Sequence, residues 1–123
     1  KIRNHFGLSR ISQAGALAAL KDQAYVSTIV QKVAKSRKTL AQIAQDNGLI
    51  PLPSATNFVT IDCGSDGNFA RTVMEQMIAR AVFIRMPAVA PMNRCIRISC
   101  GDEAAMALVA KTLPKALKAA RSS

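Results

Sequence analysis

The chain has 123 residues, of which 17 are Lys or Arg and 7 are Asp or Glu, so its formal net charge is +10. Half of the residues are hydrophobic, but only 4% are aromatic and tryptophan is absent. This length suffices for one domain whose core is built from aliphatic side chains, and no apolar run approaches the about 20 residues that a membrane-spanning helix needs.

The number and spacing of the cysteines restrict the kinds of site that they can form. Cys63, Cys95 and Cys100 are odd in number and lack the CxxC spacing that is typical of zinc sites. A disulfide framework or a metal site is therefore not expected, and reduced thiols in a soluble, cytoplasmic protein are the simplest interpretation. We expect these side chains to act as small buried hydrophobic groups.

Four segments carry apolar residues at helical spacing. In chain order they are SRISQAGALAALKD, the longer QAYVSTIVQKVAKSRKTLAQIAQDNG, NFARTVMEQMIARA, and the segment that follows Gly101-Asp102-Glu103. Asn47 and Gly48 tolerate the left-handed conformation that ends helices, and Pro114 is expected to kink the last helix or to begin a new turn in it.

Three segments are predicted to be strands, namely TNFVTID, AVFIRMP and CIRISC, while LIPLPSA is expected to be extended because of its two prolines. The predicted fold is α/β of the α+β type, with a small, mostly antiparallel sheet of about three strands. Long helices cover one face of this sheet, and residues 1–123 form a single domain.

Arg97 stands inside the apolar segment CIRISC, where an unpaired buried charge would be costly. Strand alternation places Ile96 and Ile98 on the helix-covered face and Arg97 on the opposite face. A guanidinium there is suited to bidentate binding of a carboxylate or a phosphate. Arg85 in FIRMP and Asn57 in TNFVTID are further polar residues near the same sheet. The alternative is that Arg97 pairs with Asp62 or another acid of the chain.

No nucleophile and base accompany these arginines. The single histidine, His5, has no fixed partner in the sequence, and the lysines occupy amphipathic helices or the terminus rather than a dry pocket. The pattern therefore indicates an anion-binding site without catalytic machinery.

The positive charge raises a second class of function, a non-enzymatic module that binds nucleic acid or another anion. Basic residues are concentrated at Lys32, Lys35, Arg37 and Lys38, and at Lys111, Lys115, Lys118 and Arg121. Neither aromatic pairs for base stacking nor a GxxG loop accompanies them, so two solvated helix faces are the favoured interpretation. An independent anion-binding regulatory domain remains a third possibility.

Four motifs in order resemble one family: RNHFGLSRISQAGALAALKDQAYV, PSATNFVTID, ARAVFIRM and RCIRISCGDEAAM. They are similar to the carboxy-terminal small domain of class I/II aminotransferases that depend on pyridoxal phosphate (PLP), in the histidinol-phosphate aminotransferase-like branch. PSATNFV resembles the PSxANFV motif and RCIRISCG resembles L-R-I-S-x-G. FIR resembles the end of G-V-x-V-R, with Ala81 where glycine is usual.

The resemblance implies that Arg97 binds the α-carboxylate of an amino-acid substrate and that Arg85 helps to recognise its distal, often anionic group. Asn57 matches the asparagine of PSxANFV, which the resemblance assigns to the substrate site in a mainly structural role. Arg3 to Ser9 resemble the link from a large domain. In the family, the lysine that binds PLP and the residues that hold the cofactor precede this region. The implied parent is a homodimeric aminotransferase acting on amino acids or phosphorylated amines. This chain would recognise substrate, bind no PLP and be inactive alone.

Overall fold

The computed structural model describes residues 7–122. It contains α1 (Arg10–Lys21), α2 (Gln23–Asp46), β1 (Ile50–Pro51), β2 (Phe58–Asp62), α3 (Gly67–Ile78), a 3₁₀ turn (Met92–Arg94), β3 (Cys95–Ser99) and α4 (Glu103–Arg121). The chain divides into two compact units, Lys1–Lys32 and Val33–Ser123. His5, and residues 3–6 of the predicted link, lie outside the described residues.

The first unit contains α1 and the beginning of α2. The hydroxyl of Ser9 caps α1 by accepting a hydrogen bond from the backbone N–H of Ser12 at 3.1 Å. Within this unit α1 buries none of its residues, although its apolar residues recur at helical spacing.

The second unit has a three-stranded antiparallel sheet with the order β1-β2-β3, as the predicted fold class requires. Val59 and Ile61 of β2 are buried, as are Ile96 and Ile98 of β3, because alternate residues of each strand face the core. These four side chains belong to one cluster with buried residues of three helices, namely Leu40 and Ile43 of α2, Val73 and Met77 of α3, and Leu113 and Leu117 of α4. The helices therefore cover one face of the sheet and leave the other for β2 and β3 side chains such as Arg97.

The prediction of a strand over AVFIRMP is wrong. Only Arg85 of this segment pairs with the sheet, in an isolated antiparallel bridge to Arg97. The segment is confined between the end of α3 and Pro87, which has no N–H to donate to a neighbouring strand. The third strand is instead β1, whose two residues come from the proline-containing segment that was predicted to be extended.

Among the helices of residues 7–122, none combines the length and the apolar character that spanning a bilayer requires. The α2 helix ends before Gly48, which has a φ of 72°, as the sequence predicted. The α4 helix begins after Asp102, whose carboxylate accepts from the N–H of Ala105 at 2.8 Å. It remains helical on both sides of Pro114.

The end of α3 stores backbone strain at Ala81. The N–H of Val82 donates to the carbonyl of Met77 at 3.0 Å, and the N–H of Ala81 donates to that of Ile78 at 2.9 Å. This pattern is a Schellman motif, which places its penultimate residue in the left-handed region, and Ala81 has a φ of 61°. A side chain at that φ is unfavourable, and glycine is free of the penalty.

Replacing Ala81 with glycine is therefore expected to raise the free energy of unfolding by about 1 kcal/mol. The measurement is the urea midpoint of the chain with and without the substitution. Ala104→Gly is the matched control, since Ala104 is exposed in the first turn of α4, and there glycine should lower stability. A decrease at both positions would contradict the strain at Ala81.

Candidate functional site

The candidate site lies on the sheet face that the helices leave uncovered. Arg97 pairs with Thr60 of β2 on one side. On its other side it exchanges two backbone hydrogen bonds with Arg85, from the Arg85 N–H at 3.1 Å and from the Arg97 N–H at 2.6 Å. Residues that are directly opposite in a sheet project from the same face. Thr60, Arg97 and Arg85 therefore form one row across the sheet, and the two arginines are immediate neighbours.

Aromatic rings accompany both arginines. The guanidinium carbon of Arg97 lies 4.7 Å from the centre of the Phe58 ring, and that of Arg85 lies 5.8 Å from the centre of the Phe83 ring. Arg97 is half-buried, whereas Arg85 and Phe83 are exposed. Cation–π contacts stabilise a guanidinium without occupying its hydrogen-bonding edge, so the arginines retain N–H groups for a ligand.

The alternative that Arg97 pairs with Asp62 is wrong. The Asp62 carboxylate instead accepts a two-pronged ion pair from Arg94, whose Nε lies 3.0 Å from Oδ1 and 2.9 Å from Oδ2 and whose Nη2 also contacts Oδ2. Asp62 is directly opposite Cys95, next to Arg94, so the strand register gives this acid a different arginine. The hydrogen bonds from Arg94 and from the N–H of Gly64 hold the pKa of Asp62 below its ordinary value.

Among residues 7–122, no carboxylate balances the pair formed by Arg85 and Arg97. Within residues 7–122 the ion pairs are Arg94 with Asp62 and Lys35 with Glu103, so neither Arg85 nor Arg97 contacts an acid. Like charges that are directly opposite across strands repel each other. An anion placed between the two guanidinium groups would relieve this repulsion and receive charge-assisted hydrogen bonds. The uncovered face is therefore electrostatically suited to a carboxylate or a phosphate.

Asn57 lies immediately before β2 and is exposed. Its backbone carbonyl accepts a hydrogen bond from the N–H of Cys100 at 2.8 Å and so extends the pairing of β2 with β3. In the alternation of the strand, Asn57 is out of phase with Phe58 and Thr60 of the arginine face. The structure thus gives Asn57 a backbone role at the edge of the site.

A residue that sequence reasoning left without a role is Phe58. Its alternation with Thr60 was visible in the sequence, but its contact with Arg97 depends on the register of β2 against β3. The turn before it is tightly bonded, because the hydroxyls of Ser54 and Thr56 both donate to the Phe58 carbonyl, at 2.6 Å and 3.2 Å. Arg37 adds a hydrogen bond to the Thr56 carbonyl at 3.0 Å.

The cysteines do not form a reactive centre. Cys63 and Cys95 are buried, and Cys100 is partly buried. Burial raises the pKa of the Cys63 thiol to about 11 and also raises the pKa of Cys95, so both stay protonated near neutral pH. Residues 7–122 contain no cluster of His, Cys, Asp and Glu side chains that is arranged to hold a metal ion. The basic residues of α4, Lys111, Lys115, Lys118 and Arg121, are all exposed, which fits a solvated helix face.

Comparison with known proteins defines the family. Residues 1–113 match the family described as aminotransferase class I and II, and the chain belongs to this family. A histidinol-phosphate aminotransferase of Geobacillus sp. (strain WCH70) is 31% identical over 116 residues, which are 94% of this chain and 31% of that protein. A second, from Hydrogenovibrio crunogenus, is 30% identical over 115 residues, which are 94% of this chain and 32% of that protein.

The fold is shared as well. The crystal structure of histidinol-phosphate aminotransferase from Sinorhizobium meliloti in complex with pyridoxal-5'-phosphate superposes with a TM-score of 0.89 at 52% sequence identity. The match covers 96% of this chain and 32% of that one. The chain thus spans about a third of the length of the relatives that it matches.

Proposed function

We propose that residues 1–123 are the small, substrate-recognition domain of a PLP-dependent aminotransferase. The observation that carries this proposal is the pair of arginines, Arg85 and Arg97. The membership of the chain in the aminotransferase family supports it. Arg85 and Arg97 are directly opposite each other on an uncovered face of the sheet and contact no acid of the described chain. Such a pair is kept for an anionic ligand rather than for internal stability, because an unrelieved repulsion weakens the fold.

In this proposal, Arg97 binds the α-carboxylate of an amino-acid substrate through two parallel N–H···O bonds. Arg85, which is exposed and lies in the segment that bridges to the outer side of β3, binds the distal anionic group of the substrate. Asn57 supports the edge of the site and contributes at most secondary contacts to substrate. Substrates are an amino acid or a phosphorylated amine, consistent with relatives named histidinol-phosphate aminotransferase, and a 2-oxo acid that accepts the amino group.

The cofactor belongs to the rest of the proposed enzyme. When bound, PLP supplies the electron sink on which amino transfer depends. The lysines of the described residues are all exposed, so none of them provides an amine in a dry pocket that could bind PLP. We therefore assign the cofactor lysine and the phosphate-binding residues to a large domain that adjoins this one. The task of this chain is to orient the substrate and to help exclude water from it, and the complete enzyme acts as a homodimer.

The test is a comparison of the full-length protein with the 123-residue chain. After incubation with PLP and removal of excess cofactor, the full-length protein should retain a visible absorption band. It should also transfer an amino group from L-histidinol phosphate to 2-oxoglutarate. The 123-residue chain should do neither. A full-length protein without a band, or a 123-residue chain that turns over substrate, would refute the proposal.

A further inference from the structure

We propose that Phe58 is a positioning residue for Arg97, whose guanidinium its ring holds in place before substrate arrives. This inference rests on the proposed role of Arg97 as a carboxylate-binding group. The two side chains are diagonal neighbours, since Phe58 is opposite Ser99 and Arg97 is opposite Thr60. Diagonal pairs on one sheet face are within reach of long and aromatic side chains, and the observed separation is 4.7 Å.

The need for such a support follows from the charge of the site. The backbone bridge fixes Arg85 and Arg97 opposite each other, and no acid of the described chain restrains either guanidinium. Without a second contact, repulsion and rotamer freedom would turn the long Arg97 side chain away from its neighbour. The negative face of an aromatic ring attracts the guanidinium and leaves its N–H edge open for a carboxylate.

The backbone that carries the ring is well anchored. Phe58 is half-buried, and its carbonyl accepts hydrogen bonds from the hydroxyls of both Ser54 and Thr56. Opposite it, the small side chain of Ser99 leaves space on the sheet face for the ring and the guanidinium. The sequence PSATNF thus builds a bonded turn whose last residue is the aromatic support. A fixed ring lowers the entropic cost of binding, because the arginine is already ordered.

The contact with an aromatic ring is closer for Arg97 than for Arg85. Arg85 lies 5.8 Å from the Phe83 ring centre, and Phe83 is 72% exposed. A longer contact in water is weaker, so Arg85 keeps more freedom to adapt. We infer that the site combines a fixed arginine for the invariant carboxylate with an adaptable arginine for the variable part of the substrate.

A double-mutant cycle on the full-length enzyme tests the role of Phe58. The rate at which L-glutamate bleaches the visible cofactor band is measured against its concentration, which gives an apparent Kd and a limiting rate. Phe58→Leu keeps apolar bulk but removes the ring, and should raise the apparent Kd about fivefold with the limiting rate changed less than twofold. Phe58→Tyr keeps the ring and should restore the apparent Kd to within about twofold of the original.

The decisive comparison is the same change in an Arg97→Ala background. There the ring has no guanidinium to hold, so Phe58→Leu should alter the apparent Kd by less than about twofold. Phe69→Leu is the matched control, because Phe69 is also half-buried but packs against the core, and it should leave the apparent Kd unchanged. If Phe58→Leu does not retain the cofactor band, Phe58→Met replaces it.

Two results would overturn the inference about Phe58 without affecting the proposed role of Arg97. One is an equal rise in apparent Kd in both backgrounds, which would show that Phe58 acts on the fold rather than on Arg97. The other is an unchanged apparent Kd in Phe58→Leu while Arg97→Ala is strongly impaired, which would leave the proposed function standing. If Arg97→Ala itself has no effect on the apparent Kd, the proposed role of Arg97 fails and the role of Phe58 fails with it.

Discussion

Replacing Arg97 with alanine in the full-length protein should lower the second-order rate constant for the reaction with an amino-acid donor by about 10²- to 10³-fold. The reason is that a bidentate, partly buried charge pair is lost and the substrate carboxylate is left in the site without a partner. Most of the loss should appear in the apparent Kd. The visible band of bound PLP should remain, because in the proposed function Arg97 contacts the substrate and not the cofactor.

Two further variants test whether this loss depends on the planar guanidinium at position 97. Arg97→Lys keeps the charge but loses the planar fork, so it should recover only part of the affinity. Arg80→Ala removes an exposed arginine whose guanidinium bonds Gln76 within α3, and it should change the rate constant less than about twofold. An Arg97→Ala enzyme that binds L-glutamate as tightly as the original would contradict the assignment.

Replacing Asp62 with asparagine should lower the free energy of unfolding by about 1–2 kcal/mol at neutral pH. Asp62 is 9% exposed and accepts bonds from Arg94 and Gly64, and asparagine cannot accept the two-pronged pair. The Arg94 side chain is 48% exposed, so solvent screening keeps the loss at the lower end of what a hydrogen-bonded ion pair contributes. Urea unfolding measures the difference.

The pH dependence of that difference has a definite sign. Because the pKa of Asp62 is lower in the folded chain than in the unfolded one, the stabilisation is complete above the unfolded pKa. It disappears as the pH falls through the folded pKa, so the two proteins should converge in strong acid. Glu103→Gln is the control, because its ion pair with Lys35 is almost fully exposed, and it should lower stability much less. Equal losses in both variants would contradict this account.

The sequence predicted best those elements that local periodicity determines. The α2 helix matches its predicted segment, because its apolar residues recur over 24 residues and Asn47-Gly48 ends it. The alternation in CIRISC correctly separated the two isoleucines from Arg97, since a strand with one covered face must divide its side chains in this way. The resemblance to aminotransferases added the family, which the comparison confirms.

Pairing between distant segments was not predictable from local pattern. The AVFIRMP segment has the sequence pattern of a strand, yet only Arg85 pairs with the sheet, because the segment between the end of α3 and Pro87 is short. Asp62 was assigned as a possible partner of Arg97, but the register of β2 against β3 gives it Arg94. The contact between Phe58 and Arg97 depends on the same register. Each of these is a long-range property of the sheet.

The strain at Ala81 was only partly predictable from the sequence. The family resemblance marked Ala81 as standing where glycine is usual, but the reason became visible only with the Schellman bonds and the φ of 61°. A left-handed alanine leaves no periodic signal in a sequence, since its cost lies in the backbone.

The most direct test of the central claim is a crystal structure of the full-length protein with a reduced, unreactive adduct of PLP and an amino acid. The account predicts that two nitrogens of the Arg97 guanidinium lie about 2.7–2.9 Å from the two carboxylate oxygens of the adduct. It also predicts that the guanidinium remains over the Phe58 ring. A carboxylate held by other residues, with Arg97 paired to an acid of the protein, would contradict the account.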